Sequence, residues 1–163
     1  MPVLLGDDEI QHLIDEAKPL PENYRLRLQL KPKRGHKEAD LDFEGAAGSS
    51  FRLILRQSMV NPLAFSVILG YCVPKTNVLF RLRRYNGKNH EHTNKLEGTK
   101  FYAFHIHRAT RRYQDAGLKE DEYAEPTERY ADFESALQCM LDDCEFEFPP
   151  KPQPSLPFIG EGL

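Results

Sequence analysis

Leu79–Arg112, LFRLRRYNGKNHEHTNKLEGTKFYAFHIHRATRR, decides how the chain folds. VLFRLRRY alternates apolar and charged residues with the period of a half-buried strand. It sets Phe80 and Leu82 on one face and Arg81, Arg83 and Tyr85 on the other. FYAFHIH alternates as well, with Tyr102, Phe104 and Ile106 opposite Ala103, His105 and His107. The intervening YNGKNHEHTNKLEG is rich in Asn, Gly and Lys and reads as a loop. Pairing the two strands as an antiparallel hairpin puts Phe80, Leu82, Phe104 and Ile106 in the core. Arg81, Arg83, His105 and His107 then share an exposed face, with His90 and His92 at the loop end.

Working outward, GDDEIQHLIDEAK predicts a helix with Ile10, Leu13, Ile14 and Ala17 on one side, stopped by Pro19 and Pro21. YRLRLQLKP predicts a strand with Tyr24, Leu26, Leu28 and Leu30 inward. A turn at Gly35 leads to its partner ADLDFEG, whose acids would face the arginines of YRLRLQL. SFRLILRQS predicts a strand burying Phe51, Leu53 and Leu55, and LAFSVILGYCV a central strand covered on both faces. After His107, RATRRYQDAG reads as a short helix ending near Gly117. EPTERYADFESALQCMLDDC follows as an amphipathic helix capped by Asp132 or Thr127.

The sum is an α+β domain: an N-terminal helix, an antiparallel sheet of about five or six strands, and one or two C-terminal helices packed on one face. It spans residues 1–146, and residues 147–163 read as a proline-rich tail whose Leu156, Phe158 and Ile159 could dock on the body or on a partner.

Composition excludes several classes. A net charge of −3 over 163 residues gives no global pull toward nucleic acid or membrane. Basic residues nevertheless concentrate before Arg112 and acids after Glu120, so a local basic patch is allowed. No apolar run reaches the roughly 18 residues of a membrane span, which predicts no membrane partner. Three scattered cysteines read as reduced thiols and predict a cytoplasmic chain. P-loop, GxGxxG, HExxH and GxSxG motifs are all missing.

Two chemistries suit the central segment. Metal-free cleavage of RNA through its 2′-OH needs an acid and a base that titrate near neutrality, and cations for the phosphorane. His105, His107, His90 and His92 supply the first need and Arg81 and Arg83 the second. Tyr85, Tyr102 or Tyr113 could stack a base. Alternatively, residues two apart on a strand share a face, so each His-x-His pair can chelate a divalent transition metal such as zinc. The ligand set is then drawn from His90, His92, Glu97, His105 and His107, and HEHTNKLE resembles the H-x-H-x4-E core of the first cupin motif.

The string RYNG-x2-HEHTN … F-x2-FHIHRATRRY resembles a small bacterial family of unknown function and, more distantly, the TumE-type toxins of toxin–antitoxin modules. Arg84, Tyr85, Asn86, His90, His105 and His107 stand at the matching positions. The resemblance implies a toxin-like protein that acts on RNA and is neutralised by a cognate antitoxin. The candidate substrate contacts are Arg84, Tyr85, Asn86, Arg108 and Arg112. A non-enzymatic interaction module whose arginines bind an acidic protein is the third reading.

Overall fold

The computed structural model describes residues 3–150. In chain order its elements are α1 (Asp7–Asp15), β1 (Lys18–Pro19), α2 (Tyr24–Arg27), β2 (Lys31–Lys33), β3 (His36–Glu44), β4 (Ser50–Ser58), β5 (Phe65–Cys72) and β6 (Leu79–Asn86). They continue with β7 (His92–Asn94), β8 (Thr99–Phe101), β9 (His105–Arg108), α3 (Arg111–Asp115), β10 (Ala124–Pro126), α4 (Phe133–Asp143) and β11 (Phe146–Glu147). The fold is α+β. An antiparallel seven-stranded sheet runs in the order β10-β9-β6-β5-β4-β3-β2. Sequence periodicity misses the two edge strands β2 and β10, because three residues are too few to show a period.

The inner face of this sheet carries the core. Phe51, Leu53, Leu55, Val67, Leu69, Leu82 and Tyr85 meet Ile10 and Ile14 of α1 and Ala136, Met140 and Leu141 of α4. Asp132 caps α4 by accepting a hydrogen bond from the Ser135 amide at 2.8 Å. Two-residue β1 pairs in parallel with β11, with Lys18 opposite Phe146 and Pro19 opposite Glu147. Most of the proline-rich tail, with Leu156, Phe158 and Ile159, lies outside the described residues. Among the described residues no helix is long and apolar enough to cross a membrane.

Lys18 ties these pieces together. Its buried ammonium donates to the carbonyls of Ile14 at 2.7 Å, Glu16 at 2.8 Å and Cys144 at 2.8 Å. One cation thereby satisfies the C-terminal ends of both α1 and α4, where unpaired carbonyls and the helix dipole favour positive charge. The ring of Phe51 lies beneath it at 4.9 Å.

The expected strand from Tyr24 to Leu30 is corrected to a helical turn. The Tyr24 carbonyl accepts from the Leu28 amide at 2.9 Å, and Leu26 is 66% exposed rather than inward. The ladder between β3 and Lys31–Lys33 stops at Glu38, so among the described residues Ala39–Glu44 are paired with β4 alone. Leu and Arg are good helix formers, and here the local helical preference prevails over extension of the β2–β3 ladder. The acids of β3 therefore face β4, with Asp42 Oδ1 2.6 Å from Arg52 Nε. The exposed edge strand Lys-Pro-Lys resists further pairing through its charge and its proline.

A second correction sits in β6. Gly70 pairs with Arg81 and Leu69 with Arg83, leaving Leu82 as an extra residue opposite the break. This bulge reverses the alternation beyond it. Arg83 and Tyr85 consequently fall on the inner side, while Arg81, Arg84 and Asn86 occupy the outer one. The simple alternation of LFRLRRY cannot reveal this, because Leu79 packs where a Cβ on Gly70 would sit, at 2.5 Å, so the break follows from a tertiary contact.

Candidate metal centre

On the outer face, β9 sets His105 and His107 two residues apart, paired across the ladder with Asn86 and Arg84 of β6. The surface expected to be open is covered. The segment read as a loop contains a hairpin of its own, β7 paired with β8, which lies over the histidines. His105 is 1% exposed and His107 4%. Asn94 pins the hairpin: its Nδ2 donates to the Ala124 carbonyl at 2.8 Å, and its Oδ1 accepts from the Ala124 amide at 2.9 Å. The side chain thus imitates a strand neighbour for β10.

This arrangement brings His92 onto His105 and His107, with ring centroids 5.3 and 4.9 Å away. One ring nitrogen from each of the three lies within 4.8 Å of the others. Two nitrogens sharing an ion at about 2.1 Å each stand at most about 4.2 Å apart, so loading would draw the rings slightly together.

One nitrogen of each ring is held by a hydrogen bond. His105 Nδ1–H donates to the Ala103 carbonyl and His107 Nδ1–H to the Asp121 carbonyl, both at 2.8 Å. A carbonyl only accepts, so Nε2 of each neutral ring carries the lone pair. The reciprocal bonds to Ala124 fix the Asn94 amide with its oxygen toward His92, whose Nε2–H donates to it at 2.9 Å. That leaves the His92 lone pair on Nδ1. Buried Nε2 of His105 has no hydrogen-bond partner among the described residues.

Charge state follows from burial. Desolvation pushes His105 down to about 4, against the help of its Ala103 hydrogen bond. Desolvation, followed by the Arg84 charge, pushes His107 down to about 2. At neutral pH both rings are uncharged, the form that binds metal.

Other expected site residues are distributed differently. His90 is exposed, bonded to Asn89 Oδ1, with its ring 6.1 Å edge-on to His105 and outside the three-nitrogen group. Glu97 does not approach the imidazoles: it accepts from Tyr113 Oη at 2.5 Å and pairs with Arg112. The H-x-H-x4-E string hence does not converge on one point, because the β7–β8 turn carries Glu97 to α3. Arg83 lies beneath the sheet within 3.5 Å of Tyr85 Oη, and Tyr85 in turn donates to Asp143 at 2.5 Å. Asn86 accepts from Ser66 Oγ at 2.8 Å. Arg108 pairs with Glu125 at 3.0 Å. Of the expected substrate contacts, only Arg84 and Asn86 border the histidines.

Sequence reasoning misses two residues here. Asn94 hides inside HEHTN, and Asp121 inside the acidic run KEDEY, where nothing sets it apart from its neighbours. Asp121 is instead fully buried, its carboxylate 3.3 Å from Arg84 Nε and 3.6 Å from Arg81 Nε, while its backbone carbonyl orients His107. Comparison with family models, curated proteins and solved structures finds no match for the chain, so the likeness to TumE-type toxins rests on its motif residues alone.

Proposed function

We propose that this protein binds one divalent transition ion of the zinc class through His92, His105 and His107, as a three-imidazole centre with an open fourth position. The observation that carries the reading is the convergence of three imidazole rings, each with one nitrogen held by a hydrogen bond, and with Nε2 of His105 buried without a partner among the described residues. Such second-layer bonds fix tautomer and ring direction at metal sites. Two of the three acceptors, at Ala103 and Asp121, are backbone carbonyls, which cannot reverse the direction of donation. No other His, Cys, Asp or Glu joins the group among the described residues. Three protein ligands with a fourth place for water or substrate is the pattern of catalytic rather than structural zinc. An ion there would lower the pKa of bound water or polarise a bound oxygen, and the chain's own part is to aim and desolvate the rings.

Isothermal titration of chelator-treated protein with zinc tests this. Saturation at one ion per chain, abolished in the His105→Ala/His107→Ala double variant, is the expected result. No uptake by the folded wild-type protein rejects the proposal.

A further inference from the structure

Three imidazoles contribute no negative charge, so a dication held by them keeps its full charge in a site with little access to water. A charge so placed is strongly unfavourable unless an anion accompanies it. The anionic side chains nearby do not fill that role. Asp121 is turned to Arg84 and Arg81, Glu120 approaches Arg81 at 3.6 Å, and Glu97 is taken by Tyr113 and Arg112. Arg84, by contrast, stands directly across the ladder from His107, on the same face. Its Nε faces Asp121 without making a hydrogen bond, and about a quarter of the side chain, 26%, remains exposed. A guanidinium so placed offers a planar fork of donors suited to two oxygens of one anion.

Resting on the metal reading, we infer that the open position takes a small oxyanion, a carboxylate or a phosphate, held between the ion and the Arg84 guanidinium. The site is then one for anionic substrates or ligands, with Arg84 setting the choice of oxyanions over neutral molecules and His92, His105 and His107 supplying the ion's other contacts.

Cobalt(II)-loaded protein reports on both steps, since its visible absorption depends on the coordination shell. Titration with inorganic phosphate and, separately, with acetate is expected to change that spectrum saturably. A response to phosphate alone assigns a phosphate site, and one to acetate alone a carboxylate site. Arg84→Gln is expected to weaken the response about tenfold or more, the usual scale of a lost charge-assisted bond. Arg84→Lys, which keeps the charge facing Asp121 but loses the fork, should fall between, and it serves if Arg84→Gln does not fold. Cobalt uptake with no anion response overturns this inference and leaves the metal reading standing. Failure to take up cobalt overturns the metal reading itself. An Arg84→Gln protein that binds anion with wild-type affinity also overturns the inference.

Discussion

His107 Nδ1 lies 2.8 Å from the backbone carbonyl of Asp121, fourteen residues along the chain. That single contact converts a buried histidine from a core residue into a candidate ligand. It dictates which nitrogen holds the proton and leaves the lone pair on the other, in a ring that lies 4.9 Å from His92 and 5.0 Å from His105 between centroids. Asn94 does the same for His92 through its own side chain.

Replacing Asn94 with alanine removes both the clamp on β10 and the partner of His92. It leaves the Ala124 amide and carbonyl unpaired in a buried setting, where each such loss costs about 1–3 kcal/mol. We expect the Asn94→Ala protein to unfold at lower denaturant and to bind zinc about 10–100-fold more weakly, the usual effect of losing an outer-layer partner. Competition against a chromophoric chelator measures the second effect, and unchanged zinc affinity would separate Asn94 from the centre.

Variants at His90 and Glu97 discriminate the three-imidazole site from a wider ligand set. Both residues stand outside the group of converging nitrogens, and Glu97 is engaged by Tyr113. His90→Ala and Glu97→Gln should therefore retain one zinc per chain at wild-type affinity, whereas His92→Ala should not. Loss of zinc in His90→Ala would place a fourth imidazole on the ion.

Lys18→Met keeps the length of the side chain and removes the donors for Ile14, Glu16 and Cys144. Methionine leaves these carbonyls at two helix ends without partners, and we expect a loss of about 2 kcal/mol or more in unfolding free energy. Burial lowers the Lys18 ammonium to about 8 from 10.5. Between those values the unfolded chain holds more protons than the native one, so the lysine's contribution to stability rises with pH across that window. Denaturant titrations at about pH 8 and about pH 10 should show the wild-type protein gaining on Lys18→Met. An equal change in both proteins would contradict the burial of a charged amine.

Asp143 accepts two bonds from Arg129, at 2.7 and 2.8 Å, and one from Tyr85 at 2.5 Å, joining α4 to β6. Burial alone would raise this carboxyl, but the bonds from Arg129 and Tyr85 and the charges of Arg129 and Arg83 outweigh it and hold it below 3.8. The native protein binds fewer protons here than the unfolded chain. The stabilisation is complete above that value and is lost as the pH falls through the native one. As the pH falls from about 5 to below 3.8, the wild-type protein should lose more stability than Asp143→Asn, as followed by denaturant midpoints. Parallel curves would remove Asp143 from acid unfolding.

Much of the sheet was legible because β4, β5 and β6 are long enough for a two-residue period to show, and both helices that line the core carry clear apolar stripes. The seven-residue alternation at Tyr24–Leu30 misled, since a two-residue period competes with the helical propensity of a Leu/Arg-rich segment, and Tyr24–Arg27 form a helical turn. Of the site, His105 and His107 were legible as two residues on one strand face. That the face is buried was not, because the cover comes from a three-residue strand pair inside a polar stretch and is held by Asn94. The bulge at Gly70 likewise separated Arg83 from Arg81 in a way that no local pattern encodes.

The measurement that tests the central claim most directly is the zinc K-edge X-ray absorption of the loaded protein. The account predicts three imidazole nitrogens at about 2.0–2.1 Å with one further oxygen, and a shell that loses imidazole in His92→Ala. A shell of oxygen alone, or one containing sulfur, or one unchanged when His92 is removed, would contradict it.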